Sequence, residues 1–126
     1  MITPVLVFCI IIVSYFGYWR SRGMGGYYTS APMMIAHRGT TSRFPENTSE
    51  AYEESVKIGY SSIELDVLSS EDGVVFCSHN YELERETNNS GYIHEMNSKE
   101  IDNIKTGIYS HPNNQKNIPR LEHVSK

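Results

Sequence analysis

An α/β fold, either a βα barrel or a doubly wound sheet, is what the sequence predicts, and three observations carry that reading. A short apolar run from Met33 to Ala36 is followed by a helix signature and then by an alternating stretch, Ser62 to Val67. Two strands joined by a helix form the repeating unit of both architectures. His37, Arg38, Glu64, Asp66 and His79 stand at or near the C-terminal ends of the predicted strands, where such folds gather ligands. A chain of 126 residues also holds at most one compact domain.

Ahead of this unit, residues 2–19 form an uncharged run dominated by valine, isoleucine, leucine and phenylalanine. A helix of that length rises about 27 Å, close to the ~30 Å hydrocarbon core of a bilayer. Tyr15, Tyr18 and Trp19 cluster at its end like an interfacial aromatic belt, and Arg20 and Arg22 follow at once. No side chain before Arg20 is charged and no small-x-small cleavage site follows the run. Residues 1–19 therefore read as an uncleaved transmembrane anchor rather than a signal peptide. The two arginines would keep the C-terminal side cytoplasmic, giving a single-pass membrane protein. Residues 20–32 contain Gly23, Gly25, Gly26, Ser30 and Pro32 without periodicity and read as a linker.

Each later element has its own signal. Met33–Ala36 has the length and apolarity of a buried strand. Asn47 with Glu50 three residues on has capping-box spacing, Ala51, Tyr52 and Val56 make an apolar face, and Gly59 suits the position just past a helix end. Ser62 to Val67 alternates with period 2. Glu71-Asp72-Gly73 reads as a turn, and Val74–Cys77 as a third strand ending at Ser78 and His79. A short helix is expected over 98–104. Another is expected to open near Ile118–Glu122, with Pro119 in its first turn.

Composition narrows the function. Lys+Arg is 11 against Asp+Glu at 15, a net charge of -4, so there is no basic footprint for nucleic acid. Two cysteines, Cys9 and Cys77, exclude a disulfide framework and a cysteine-rich zinc module.

The chemistry-bearing residues point one way. Glu64 and Asp66 are two apart on a strand, so their side chains share a face. Two carboxylates so placed either face solvent or repel each other strongly; a divalent cation relieves the repulsion, and hard oxygen ligands suit Mg²⁺ or Ca²⁺. His37 beside Arg38 pairs an acid/base group with an anion-binding cation, and His79 supplies a second imidazole. That set fits phosphodiester cleavage.

Taken together, the motifs His37-Arg38-Gly39, Pro45-Glu46-Asn47-Thr48, Glu64-Leu65-Asp66-Val67, Asp72-Gly73 and His79 resemble the glycerophosphodiester phosphodiesterase family in order and spacing. Leu83, Arg85, Thr87, Gly91 and Ile118-Pro119-x-Leu121-Glu122 extend the resemblance across about Met34 to Val124. Asn80 departs from it, since the family usually has aspartate after this histidine. The resemblance implies a TIM-type (β/α)₈ barrel of the phospholipase C-like kind. It implies Glu64 and Asp66 as metal ligands, His37 and His79 as general acid and base, and Arg38 as the phosphate-binding residue. Glu46 would orient Arg38 or reach the metal. With the N-terminal anchor, the chain looks most like the single-pass membrane members, several of which act on lysophospholipids in a lysophospholipase D reaction. The implied partners are a glycerophosphodiester or lysophospholipid substrate and a membrane, with no nucleic acid.

Residues 33–126 are too few for a whole barrel, which takes about 250 residues. They read as the N-terminal part of the domain, a truncated barrel, and no residue stands for the family's third carboxylate ligand. The expected function is metal-dependent phosphodiester hydrolysis. The rival is a non-catalytic, membrane-anchored half-barrel acting as a binding module. Asn47-Thr48-Ser49 meets the glycosylation rule, and a glycan there would fill the site, which favours a cytoplasmic domain.

Overall fold

The computed structural model describes residues 4–18 and 33–124, which fall into two units divided after Pro32. The first contains α1, Pro4–Tyr18, a helix of 15 residues with every side chain exposed and apolar residues all round. Its rise of about 22 Å falls short of the ~30 Å of a bilayer core. Among the described residues, no helix is long and apolar enough to cross a membrane. The transmembrane anchor expected over residues 1–19 is therefore not supported. Trp19, Arg20, Arg22 and the linker expected over 20–32 lie outside the described residues.

The second unit opens with one parallel β-α-β turn. Strand β1, Ile35–His37, pairs in parallel with β2, Ser62–Glu64, placing His37 opposite Glu64. Helix α2, Ser49–Ile58, connects them and buries Ala51, Tyr52 and Ser55. Its N-cap is Thr48, whose Oγ1 accepts from Ala51 N–H at 3.4 Å. Asn47, the cap expected from sequence, is drawn away to a different partner described below. Gly59 ends the helix in a left-handed conformation, φ 99°, as its position suggested.

The predicted second strand is broken. Beyond β2 the chain leaves the ladder at Leu65 and Asp66, and β3, Val67–Ser69, pairs antiparallel with β4, Val75–Cys77. The third predicted strand thus belongs to a hairpin, not to a second β-α-β unit. The connection is too short for the crossover that a parallel pair requires. It is closed by Ser70 N–H to Val74 O at 2.9 Å and by Gly73 at φ 82°.

After the hairpin the chain makes 3₁₀ turns at Leu83–Arg85 and Ile93–Glu95. Helix α3, Ser98–Ile101, carries a capping box between Asn97 and Glu100. A small antiparallel pair follows, β5, Lys105–Thr106, with β6, Lys116–Asn117, and the described chain ends in α4, Leu121–Val124. The β5–β6 pair has no signal in the hydrophobic pattern. Phe76, Leu83, Ile93, Ile101, Ile104 and Ile118 form the core, with Leu68, Val74 and Met96 packed against it. Each of these large side chains contributes roughly 1.5–3 kcal/mol of burial.

Candidate active site

The rim where β1 and β2 end collects the polar residues. Arg38 follows β1 with its backbone in the left-handed region, φ 56°, a conformation that costs a non-glycine residue about 1–2 kcal/mol. Three backbone contacts hold it there. Its N–H donates to Glu64 O at 3.0 Å and lies 3.3 Å from Glu64 Oε2, while its carbonyl accepts from Asn47 N–H at 3.0 Å. That geometry turns the guanidinium back over the site.

Two carboxylates clamp the guanidinium. Nη1 donates to both Glu46 oxygens, at 3.0 and 3.1 Å. Nε lies 3.0 Å from Asp66 Oδ2, but its N–H is not aimed at that oxygen, so the buried Nε–H has no hydrogen-bond acceptor. No bond among the described residues uses Nη2.

Asp66 is fixed from the other side by Asn47. The Asn47 Nδ2 donates to Asp66 Oδ2 at 3.1 Å, and Asp66 N–H donates to Asn47 Oδ1 at 3.1 Å. This is why the strand breaks here, because the Asp66 amide bonds a side chain in place of a strand neighbour. Tyr52 Oη, from α2, also donates to Asn47 Oδ1 at 2.9 Å. Burial, then the neighbouring Cys77, pushes the Tyr52 hydroxyl above its ordinary value, so it remains a donor. Asn47 adopts φ 54° to serve all these partners.

The histidines flank this cluster. His37 is exposed, with Nε2 3.9 Å from Glu64 Oε2. His79 reaches the rim because the β3–β4 hairpin folds back, with Ser78 N–H donating to Asp66 O at 3.1 Å. Its Nδ1 is 3.2 Å from Asn80 Oδ1, so the asparagine takes up the ring-facing position. A small hollow is lined by Glu46, Asn47, Cys77, Ser78, His79 and Glu86 among others.

The structure thus brings Arg38, Glu46, Glu64, Asp66 and His37 together in one connected set, with His79 on the adjoining hollow. Glu46 is spent on Arg38. Glu64 and Asp66 offer the oxygen donors that Mg²⁺ or Ca²⁺ prefers. They fit the chemistry of such an ion but supply only part of its shell: among the described residues no group of three or more His, Cys, Asp or Glu is placed to hold a metal. Sequence reasoning saw Asn47 as a cap and missed it as the clasp of Asp66. Tyr52 was legible only as a core aromatic, and Glu86 carried no signal.

Comparison with known proteins shows the family and the fold. The glycerophosphoryl diester phosphodiesterase family matches residues 37–126. A glycerophosphodiester phosphodiesterase of Caldanaerobacter subterraneus is 36% identical over 76 residues, covering 60% of this chain and 31% of the relative. The crystal structure of the glycerophosphodiester phosphodiesterase of Agrobacterium tumefaciens superposes with a TM-score of 0.69 at 35% identity, covering 74% of this chain and 41% of that one. A phosphodiesterase of Oleispira antarctica, solved with the product sn-glycerol-3-phosphate, gives a TM-score of 0.66 at 30% identity over 75% of this chain and 40% of that one. The chain spans between 31% and 41% of the length of these relatives, so its β-α-β turn and hairpin correspond to part of a TIM-type barrel domain. The left-handed arginine, its two carboxylates and the returning histidine all lie inside the matched segment, and the chain belongs to the glycerophosphoryl diester phosphodiesterase family.

Proposed function

We propose that this chain carries the phosphate-binding and proton-transfer part of a metal-dependent glycerophosphodiester phosphodiesterase. The observation that supports this most is Arg38, aimed by Glu46 and Asp66 into the rim between the two histidines' strands. A fixed guanidinium with Nη2 uncommitted suits a phosphodiester oxygen.

In this reading Arg38 orients the phosphodiester and offsets its charge. One of His37 and His79 takes a proton from the attacking water or hydroxyl as the new P–O bond forms. The other protonates the alkoxide as the bond to the alcohol breaks, leaving an alcohol and a glycerol phosphate. Glu64 and Asp66 would hold a divalent cation, Mg²⁺ or Ca²⁺, while Glu46, both of whose oxygens accept from Arg38, would orient that arginine. When bound, that ion supplies Lewis-acid polarisation of the phosphoryl oxygens. Lysophospholipids, which would release a lysophosphatidic acid, belong to the same reading as a second substrate class.

The test is release of glycerol 3-phosphate from a glycerophosphodiester with and without Mg²⁺ or Ca²⁺. His37→Ala and His79→Ala should each lower turnover by about 10²-fold or more. Near-normal turnover in both variants would refute the assignment. A second reading, a non-catalytic half-barrel that binds a partner or ligand, is favoured by the two-carboxylate donor set. It predicts binding of glycerol 3-phosphate with no hydrolysis under any metal condition.

A further inference from the structure

Beside the rim lies a second, larger hollow of about 460 Å³, lined by Thr41, Ser42, Glu46, Glu86, Ser110 and His111. Its size falls in the range of small-molecule sites. It shares Glu46 and Glu86 with the small hollow that contains His79, so these two residues stand between the hollows. Its walls are pinned together across the chain. His111 Nε2 lies 3.1 Å from Thr41 O, with Nδ1 3.0 Å from Ser110 Oγ, and Asn114 Nδ2 donates to Arg43 O at 2.6 Å. The hollow is therefore built between the loop after β1 and the turn after β5.

Every residue that lines it carries a polar group: three hydroxyls, one imidazole and two carboxylates. The carboxylates differ. Glu46 is paired with Arg38, which it shares with Asp66. Glu86 is half-buried and, among the described residues, has no cation within 4 Å. Burial and then the charge of Glu46 push its carboxyl upward, and Arg85 and His111 only partly offset this. A cation entering the hollow would relieve both effects.

We propose that this hollow seats the alcohol portion of the diester, and that Glu86 selects diesters whose alcohol carries an ammonium group. The inference rests on the phosphodiesterase reading above. The hydroxyls of Thr41, Ser42 and Ser110 suit a small hydrophilic head group. No aliphatic or aromatic hydrocarbon side chain lines it to receive an acyl chain. Arg38 would hold the phosphate on one side of Glu46, leaving the alcohol on the other side against Glu86.

The test compares sn-glycero-3-phosphocholine with sn-glycero-3-phosphoglycerol, whose alcohol is neutral, in the full chain. Dissociation constants by calorimetry and kcat/KM are both measured, so an inactive chain still gives a result. The wild type should favour the choline diester, and Glu86→Gln should lower that preference by about fivefold, the size of one partly exposed ion pair. Glu86→Lys should reverse it. The glutamine is nearly isosteric, and matched thermal unfolding curves would show that its fold is kept. An unchanged preference in both variants would overturn the proposal while leaving the phosphodiesterase reading intact. So would an equal loss for both diesters, which would place Glu86 at the phosphate. If the wild type neither binds nor hydrolyses either diester, the parent reading fails and takes this one with it.

Discussion

Asn47 and Asp66 hold each other twice, the amide nitrogen donating to the carboxylate and the carboxylate's own backbone N–H returning to the amide oxygen, both at 3.1 Å. The pair links the start of α2 to the break after β2, and so sets the position of Arg38. Replacing Asn47 with leucine would leave the Asp66 N–H and the buried Tyr52 hydroxyl without an acceptor. Each such donor costs about 1–3 kcal/mol, so a loss of about 3 kcal/mol is expected in urea unfolding. Tyr52→Phe removes one bond and leaves no orphan, and should cost only about 1 kcal/mol.

Arg38→Lys keeps the charge and removes the fork. A lysine cannot serve both oxygens of Glu46 while facing Asp66. Affinity for sn-glycerol 3-phosphate is expected to fall about tenfold or more, measured by calorimetry. An unchanged dissociation constant would show that the guanidinium does not meet the phosphate.

Much of this site was legible in the sequence and some of it was not. The strand–helix–strand order, the Gly59 stop and the placing of His37, Arg38, Glu64, Asp66 and His79 at strand ends follow from pattern and spacing, whereas Glu46 was marked only by the family resemblance. The hairpin is half legible: the Glu71-Asp72-Gly73 turn is too short for a parallel crossover, but nothing in the alternating pattern shows that the chain leaves the first ladder at Leu65 and Asp66. The clasp is not legible: Asn47 beside Thr48 satisfies the rules for a cap so well that its pull toward Asp66 is hidden. Tertiary demand overrode the local preference, at a residue whose positive φ no pattern announces.

Glycine contributes in two distinguishable ways. Gly107, at φ 85°, lies against Pro45, so that a Cβ there would collide with Pro45 Cγ and come within 2.8 Å of its Cβ. Gly59, at φ 99°, has open space where a Cβ would go. Gly107→Ala should therefore cost about 2–4 kcal/mol, from overpacking added to backbone strain. Gly59→Ala should cost about 1 kcal/mol, from strain alone. Equal losses in thermal unfolding would contradict this difference.

Asp72 couples stability to acid. Hydrogen bonds from Ser98 and Ser70 hold its carboxyl down from 3.8 to about 2. A carboxyl depressed in the folded state stabilises fully above its unfolded value and loses that contribution as the pH falls toward the folded value. Stability should therefore decline from about pH 4 down to about pH 2. Asp72→Asn should flatten part of that decline in urea midpoints. Asp102, held low by Arg120, and Glu84, held low by backbone N–H groups, would contribute to the remainder.

The core has a consequence for motion. Its members, Phe76, Leu83, Ile93, Ile101, Ile104 and Ile118, with Leu68, Val74 and Met96, all come from the segment after Asp66. β1 and α2 contribute only Ala36, Ala51 and Tyr52 to the buried apolar interior, outside this cluster, and β2 contributes none. Local opening is expected to be cheapest where buried apolar contact is sparsest. Amide protons around Phe76 and Ile104 should then exchange with deuterated solvent last, while those of β1 and β2 exchange early. Arg38 and His37 would then sit on the part of the molecule that breathes, while His79 is carried by the quiet body.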